Sequence, residues 1–286
     1  MMLAMNKHRH DLESKRDGLY ARKSLGQHFL KSTSALRQII EAAHLKPTES
    51  VLEIGPGEGV LTRVLLDTGV HVIAIEKDHR AISLLQTRFD SEIQRGQLQI
   101  LEGDFLKIDL ATLGLRQHDY AVVANIPYYI TGAILEKCLE EEPRANRLVL
   151  LVQKEVGERI VARDGKESLL SIAVKVFGQP SIIAKVPRGA FQPPPKVDSA
   201  ILAVNNVSGI QLQQSALSPK DFFPVLKAGF AHKRKLVRRN LETIWPKAKI
   251  TRIWNMLNLD LHARAEELQT SDWLAIVRAS QEHSEA

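Results

Sequence analysis

The 286-residue sequence predicts an α/β fold, a mostly parallel sheet wrapped by helices, followed by a smaller all-helical C-terminal domain. Three observations carry this. Residues 51–204 alternate short apolar runs with helical patterns, a glycine-rich turn directly follows the first run, and beyond Pro219 the pattern is purely helical.

Apolar runs at Val51–Ile54, His71–Ile75, Leu98–Leu101, Tyr120–Ala124, Leu148–Val152, Ser181–Val186 and Ser199–Val204 are of strand length. Between them, Val60–Asp67, His79–Phe89, Gly132–Glu141, Lys154–Val161 and Ser168–Phe177 read as helices. The last two strands are joined by the proline-rich segment Pro187–Pro195 and by no helix, which suits an antiparallel pair at the sheet edge. Polar residues 205–218 read as a linker. After it, Phe222, Val225, Leu226 and Phe230, then Leu236, Val237, Leu241 and Ile244, fall at helical spacing, with further helices near Ile250–Leu257 and Trp273–Ala279. The expected organisation is a basic N-terminal tail (1–21), the sheet domain (22–205) and the helical domain (206–286).

Composition excludes several classes of protein. Hydrophobic residues at 44% with charged ones at 25% are the balance of a folded globule, not of a disordered chain. No apolar run approaches the ~18 residues a membrane span requires, and the mixed-charge N-terminus fits no secretory or transit signal. A single cysteine, Cys138, rules out an internal disulfide and a cysteine metal cage; it and Trp245, Trp254 and Trp273 are expected in the core. A cytoplasmic monomer without a metal is expected.

Charge is unevenly placed. Residues 220–252 hold ten Lys and Arg against Asp221 and Glu242, a local +8, whereas the whole chain carries +6 and the remainder therefore −2. Such a patch, centred on Lys233, Arg234, Lys235, Arg238 and Arg239, is the footprint of a polyanion, nucleic acid before membrane surface, although a solvated helix face gives the same composition.

Residues 53–62, EIGPGEGVLT, join a strand to a helix, and glycines at 55, 57 and 59 let the backbone turn sharply and approach a ligand. Glu76 closes the next strand 21 positions after Gly55, where a carboxylate can accept ribose hydroxyls. That spacing equally suits a nicotinamide dinucleotide. Asp104 after the third strand and Asn125 at the end of the fourth extend a series of polar strand ends, each of which could alternatively cap a turn.

With these segments the sequence resembles the Rossmann-like S-adenosylmethionine-dependent methyltransferases, and among them the small-subunit (16S) rRNA adenine N6,N6-dimethyltransferase family. The resemblance runs from Arg22 almost to the end: RKSLGQHFL at 22–30, EIGPGEGVLT, IEKD at 75–78, GDF at 103–105, NIPYYI at 125–130, LVQKEV at 151–156, AFQPPPKVDSA at 190–200 and AHKRKLVRRN at 231–240. It implies cofactor contacts at His28, Leu30, Gly55, Glu76, Asp104 and Asn125, with the backbone at His28 mattering more than its ring, since the family more often has Asn there. It also implies methyl transfer to two adjacent adenines in a hairpin loop near the 3′ end of small-subunit rRNA, with a role in small-subunit biogenesis.

The chemistry asked of NIPYYI follows from the acceptor. An adenine amine is a poor nucleophile because its lone pair is delocalised, so the protein must align it with the methyl carbon and favour its pyramidal form. The Asn125 side-chain oxygen and the Ile126 carbonyl can accept from the amine, Pro127 stiffens the turn, and Tyr128 can stack on the base. By resemblance, Phe191 would close on the other face of the base. Tyr129 is expected to pack. A related large-subunit rRNA adenine methyltransferase, a ribosome-assembly binding factor with incidental catalysis, and, more distantly, a nicotinamide-dependent oxidoreductase are the alternatives.

Overall fold

The structure, a computed structural model, describes Leu19, Arg22 and residues 26–281, so most of the tail read at 1–21 lies outside the described residues. The chain opens with the short strand β1 (Phe29–Leu30) and helix α1 (Thr33–Ala43), which Ser32 caps by accepting from the Ala35 amide. There follow β2 (Ser50–Ile54), α2 (Val60–Leu66), β3 (His71–Glu76), α3 (His79–Arg88), α4 (Asp90–Gln94), β4 (Leu98–Glu102), β5 (Tyr120–Asn125), α5 (Thr131–Glu140) and β6 (Arg147–Gln153). Next come α6 (Lys154–Ile160), α7 (Leu169–Lys175), β7 (Gln179–Val186), β8 (Phe191–Gln192) and β9 (Ser199–Asn205).

Seven strands form one sheet in the order β4-β3-β2-β5-β6-β9-β7. Strands β4 through β6 are parallel; β9 runs antiparallel to both its neighbours, and β7 forms the edge. All seven predicted runs are strands, and the edge pair is antiparallel as its proline-rich connection suggests. Burial explains why the inner strands read as unbroken apolar runs: β5 and β6 are covered by helices on both faces and are almost wholly buried, whereas the edge strand β7 alternates. Because the chain leaves β2 in one direction and β5 in the other, a crevice opens above their carboxyl ends.

Beyond β9 lie α8 (Ile210–Gln214), α9 (Pro219–Gly229), α10 (Val237–Leu241), α11 (Lys247–Leu257) and α12 (Thr270–Gln281). The stretch read as a polar linker is therefore corrected: it contains α8 and buries Val207, Leu212 and Leu217, apolar residues five apart, a spacing with neither helical nor strand period. Ser218 and Asp221 form a reciprocal cap at the start of α9, with Pro219 at its first position. One apolar cluster runs from under the sheet into these helices, with the rings of Phe177 and Phe223 stacked at 6.1 Å. Cys138, Trp254 and Trp273 are buried in it, and Trp245 packs half-buried at its edge under Lys249. Among the described residues no helix is long and apolar enough to cross a membrane, and no cluster of three or more His, Cys, Asp or Glu could hold a metal.

Candidate active site

A cavity with about 1280 Å³ of empty space, counted out to its open mouth, lies above the carboxyl ends of β2, β3 and β5. Its walls include His28, Leu30, Gly55, Glu76, Asp104, Asn125, Ile126, Pro127 and Tyr128, which sequence reasoning had drawn from segments nearly one hundred residues apart. Gly55 has φ +68°, and a Cβ there would meet nothing within 4 Å, so the turn needs glycine for its backbone and leaves open space beside it. At Gly59 the demand is packing: a Cβ would come within 2.5 Å of the Phe89 ring.

Glu76 is held by three backbone amides. Its Oε2 accepts from Gly57, and its Oε1 accepts from Lys77 and Asp78. A carboxylate offers about four acceptor sites, so Glu76 as placed here keeps capacity to accept from a ligand hydroxyl. Asp104 accepts from the Leu106 amide and from Lys77 Nζ at 2.9 Å, and that ammonium holds its carboxyl below the usual range. Glu53, which sequence reasoning left without a role, is 1% exposed and also lines the cavity. Burial pushes its carboxyl up to about 8, against the pull of the Thr62 hydroxyl 2.7 Å away and with a further push from the charge of Glu76. The signal for it was present: Glu53 is the one charged residue in the apolar run SVLEI.

Asn125 donates from Nδ2 to the His28 carbonyl at 3.0 Å. A carbonyl can only accept, so the amide nitrogen must face it, and Oδ1 is left with no protein partner among the described residues. The Ile126 carbonyl lies just past Asn125, the last paired residue of β5. Tyr128 is half-buried, its hydroxyl 2.5 Å from Ser199 Oγ, and burial raises its pKa. Tyr129, expected to pack, is instead 68% exposed on the cavity rim: the helical turn at Tyr128–Ile130 sends adjacent side chains in different directions, and only Tyr128 faces the sheet. Phe191, expected against the base, is 4% exposed in the core beside Leu30 and does not line the cavity, because β8 pairs with β1 and turns it inward.

Of the basic cluster, Lys233, Arg234 and Lys235 are exposed between α9 and α10 with no ion-pair partner among the described residues. Arg239 pairs with Glu242 at 3.0 Å, and Arg238 is half-buried with its Nε unpartnered.

A strand-order reversal crowned by a glycine turn, with acceptors ending successive strands, defines a Rossmann-like nucleotide-cofactor site, and the cavity fits the S-adenosylmethionine that the resemblance implies. It opens beside Gly55, and the carboxylates of Glu76 and Asp104 suit a cationic, hydroxyl-bearing ligand. Comparison with known proteins narrows the class. Residues 18–282 match the family described as ribosomal RNA adenine dimethylase, and the chain belongs to that family. It is 41% identical over 263 residues to ribosomal RNA small subunit methyltransferase A of Thermosynechococcus vestitus, covering 90% of this chain and 95% of that one. It is 40% identical over 257 residues to the protein of the same description from Dehalococcoides mccartyi, covering 89% and 87%. Among solved structures it resembles a dimethyladenosine transferase from Plasmodium falciparum, with a TM-score of 0.73, 29% identity and coverage of 87% of this chain and 96% of that one. It also resembles the 23S rRNA methyltransferase ErmE, with a TM-score of 0.67, 25% identity and coverage of 88% and 99%.

Proposed function

We propose that this enzyme dimethylates the exocyclic amines of two adjacent adenines in a hairpin loop near the 3′ end of 16S rRNA, acting in the cytoplasm as a monomer during small-subunit biogenesis. The observation that carries the reading is the fixed amide of Asn125, whose Oδ1 stands free at the edge of the cofactor cavity. The cofactor supplies the methyl group on a sulfonium that leaves as a neutral thioether. His28, Leu30, Gly55, Glu76, Asp104 and Asn125 would hold it, with Glu53 in the same wall. Asn125 Oδ1 and the Ile126 carbonyl orient the amine by accepting its hydrogens, and their negative ends favour the positive charge that grows on the nitrogen. Tyr128, kept in place by Ser199, offers its ring to the base. No side chain is needed as a base, because the methylated amine is acidic enough to release its proton to water.

Residues 206–286 form the RNA-gripping part in this reading, with Lys233, Arg234 and Lys235 free to meet phosphates and Arg238 and Arg239 beside them. Similarity to a small-subunit and, at lower identity, a large-subunit enzyme favours the small subunit as substrate. The test is incubation with labelled cofactor and either ribosomal subunit lacking the modification. Label on adjacent adenines of the small-subunit RNA is expected, and label confined to the large subunit would overturn the assignment. Asn125→Ala should lower kcat about 100-fold or more with the melting temperature changed by a few degrees; unimpaired transfer would refute the role of that amide.

A further inference from the structure

We propose that His28 is a positioning residue of the methyl-acceptor side, fixing through its ring the loop at 191–195 against the turn at 125–130. The starting point is a short ladder. Strands β1 and β8 pair antiparallel, with Phe29 opposite Gln192 and Leu30 opposite Phe191, so the register brings His28 opposite Pro193. The Lys31 amide donates to the Ala190 carbonyl, so the hydrogen-bonded pairs alternate through Phe29/Gln192 to Gln27/Pro194, where proline has no N–H and the ladder stops. The imidazole takes over: Nδ1 lies 2.8 Å from the Pro193 carbonyl oxygen. Since that oxygen only accepts, Nδ1 carries the hydrogen, and the bond fixes the tautomer as well as the loop.

The remaining contacts of His28 point the same way. Its backbone carbonyl accepts from Asn125 Nδ2 at 3.0 Å and so decides which end of that amide is free. Its ring lies 6.0 Å from the Tyr128 ring at an interplanar angle of 22°, on the residue whose hydroxyl meets Ser199. Asn125 and Tyr128 belong to the turn proposed to hold the base, and Pro193 to the loop that His28 ties to it. None belongs to the glycine turn or to the acidic ends of β2 and β3. One residue thus ties its own segment to two others far from it and from each other in sequence, and displacement of such a support by ~1 Å is enough to slow a reaction that depends on alignment.

The kinetic part of the test rests on the proposed rRNA reading; the other parts do not. His28→Leu keeps bulk but removes the donor. His28→Asn restores an N–H at the same distance from Cβ as Nδ1. Both variants keep the backbone through which His28 would hold the cofactor, so affinity for S-adenosylhomocysteine by calorimetry should change less than threefold in either. Amide exchange across residues 188–199 should quicken at least tenfold in His28→Leu without cofactor and return to within threefold of the parent in His28→Asn. With undermethylated small subunits, kcat should fall about tenfold or more in His28→Leu and recover in His28→Asn. In the parent protein, nitrogen NMR should show the Nδ1–H tautomer, a readout that survives even if a variant fails to fold. An Nε2–H tautomer, unchanged exchange at 188–199, or a loss of cofactor affinity with kcat preserved would each overturn the proposal. A parent enzyme that methylates no small subunit defeats the rRNA reading while leaving exchange and tautomer to decide this one.

Discussion

Replacing Glu53 with Gln should make the protein more stable, and increasingly so as the pH rises. In the folded chain this carboxyl is 1% exposed in β2 and titrates near 8, against 4.5 for an unhindered Glu. Its folded-state value is raised, so between pH 4.5 and 8 the native state holds a proton that the unfolded chain has released, and stability falls as pH rises through that window. At about 1.4 kcal/mol per pH unit the gap corresponds to an upper figure on the order of 5 kcal/mol, fully expressed above pH 8 and absent below pH 4.5. Glutamine has the same shape, and its amide oxygen can accept from Thr62 as the carboxyl does at 2.7 Å, so little is lost at low pH. Urea unfolding of parent and Glu53→Gln at half-unit steps from pH 5 to 9 measures the difference, in which other titrating groups cancel. Curves that diverge from near coincidence at pH 5 to a gap of about 3–5 kcal/mol at pH 9 are expected; parallel curves would show that Glu53 is hydrated and that its burial argument is wrong.

Two other outcomes follow from packing and charge. Gly229→Ala should lower stability by about 3 kcal/mol or more, read as a drop in urea midpoint, because the new Cβ would lie 2.1 Å from the Trp273 ring where α9 meets α12; an unchanged midpoint would refute that close contact. Neutralising Lys233, Arg234 and Lys235 together should weaken RNA binding and flatten its log–log salt dependence by about 0.7 per lost phosphate contact on single strands, whereas an unchanged slope would place the RNA elsewhere.

The sheet is legible in the sequence because its inner strands are buried on both faces and carry unbroken apolar runs between turn residues, as in YAVVAN and RLVLLVQ. The helices between them are legible for the complementary reason, one polar face each. What escapes is whatever depends on contacts between distant segments. The pairing of β1 with β8 involves two residues on each side, too few for any period, yet it decides that Phe191 faces the core. Helix α1 has a readable cap in Ser32 with Leu36, Ile39 and Ala43 on one face, and lay outside the stretch where alternation drew attention. For the site, strand ends could be enumerated from spacing, and Glu76, Asp104 and Asn125 do line one cavity. Their remaining hydrogen-bonding capacity could not, since it depends on the Gly57, Lys77 and Asp78 amides around Glu76 and on Lys77 beside Asp104.

A consequence for dimethylation lies in counting hydrogens. On the proposed reading, the unmodified amine offers two N–H groups to two acceptors, Asn125 Oδ1 and the Ile126 carbonyl. After one transfer and loss of a proton it offers one, so an acceptor is left without its partner at a cost of about 1 kcal/mol or more. Further acceptors would not mend this, because the deficit is in donors. The compensation must come from interactions indifferent to the number of hydrogens on nitrogen: contact with the face of the base, and a turn stiff enough to keep its alignment when one bond is gone. The structure supplies both in Tyr128, clamped at its hydroxyl by Ser199 and flanked by the His28 ring, and in Pro127 at the start of the turn. On that reading, rigidity around the base, and not a larger set of polar contacts, would let a single site carry out two successive transfers to the same atom.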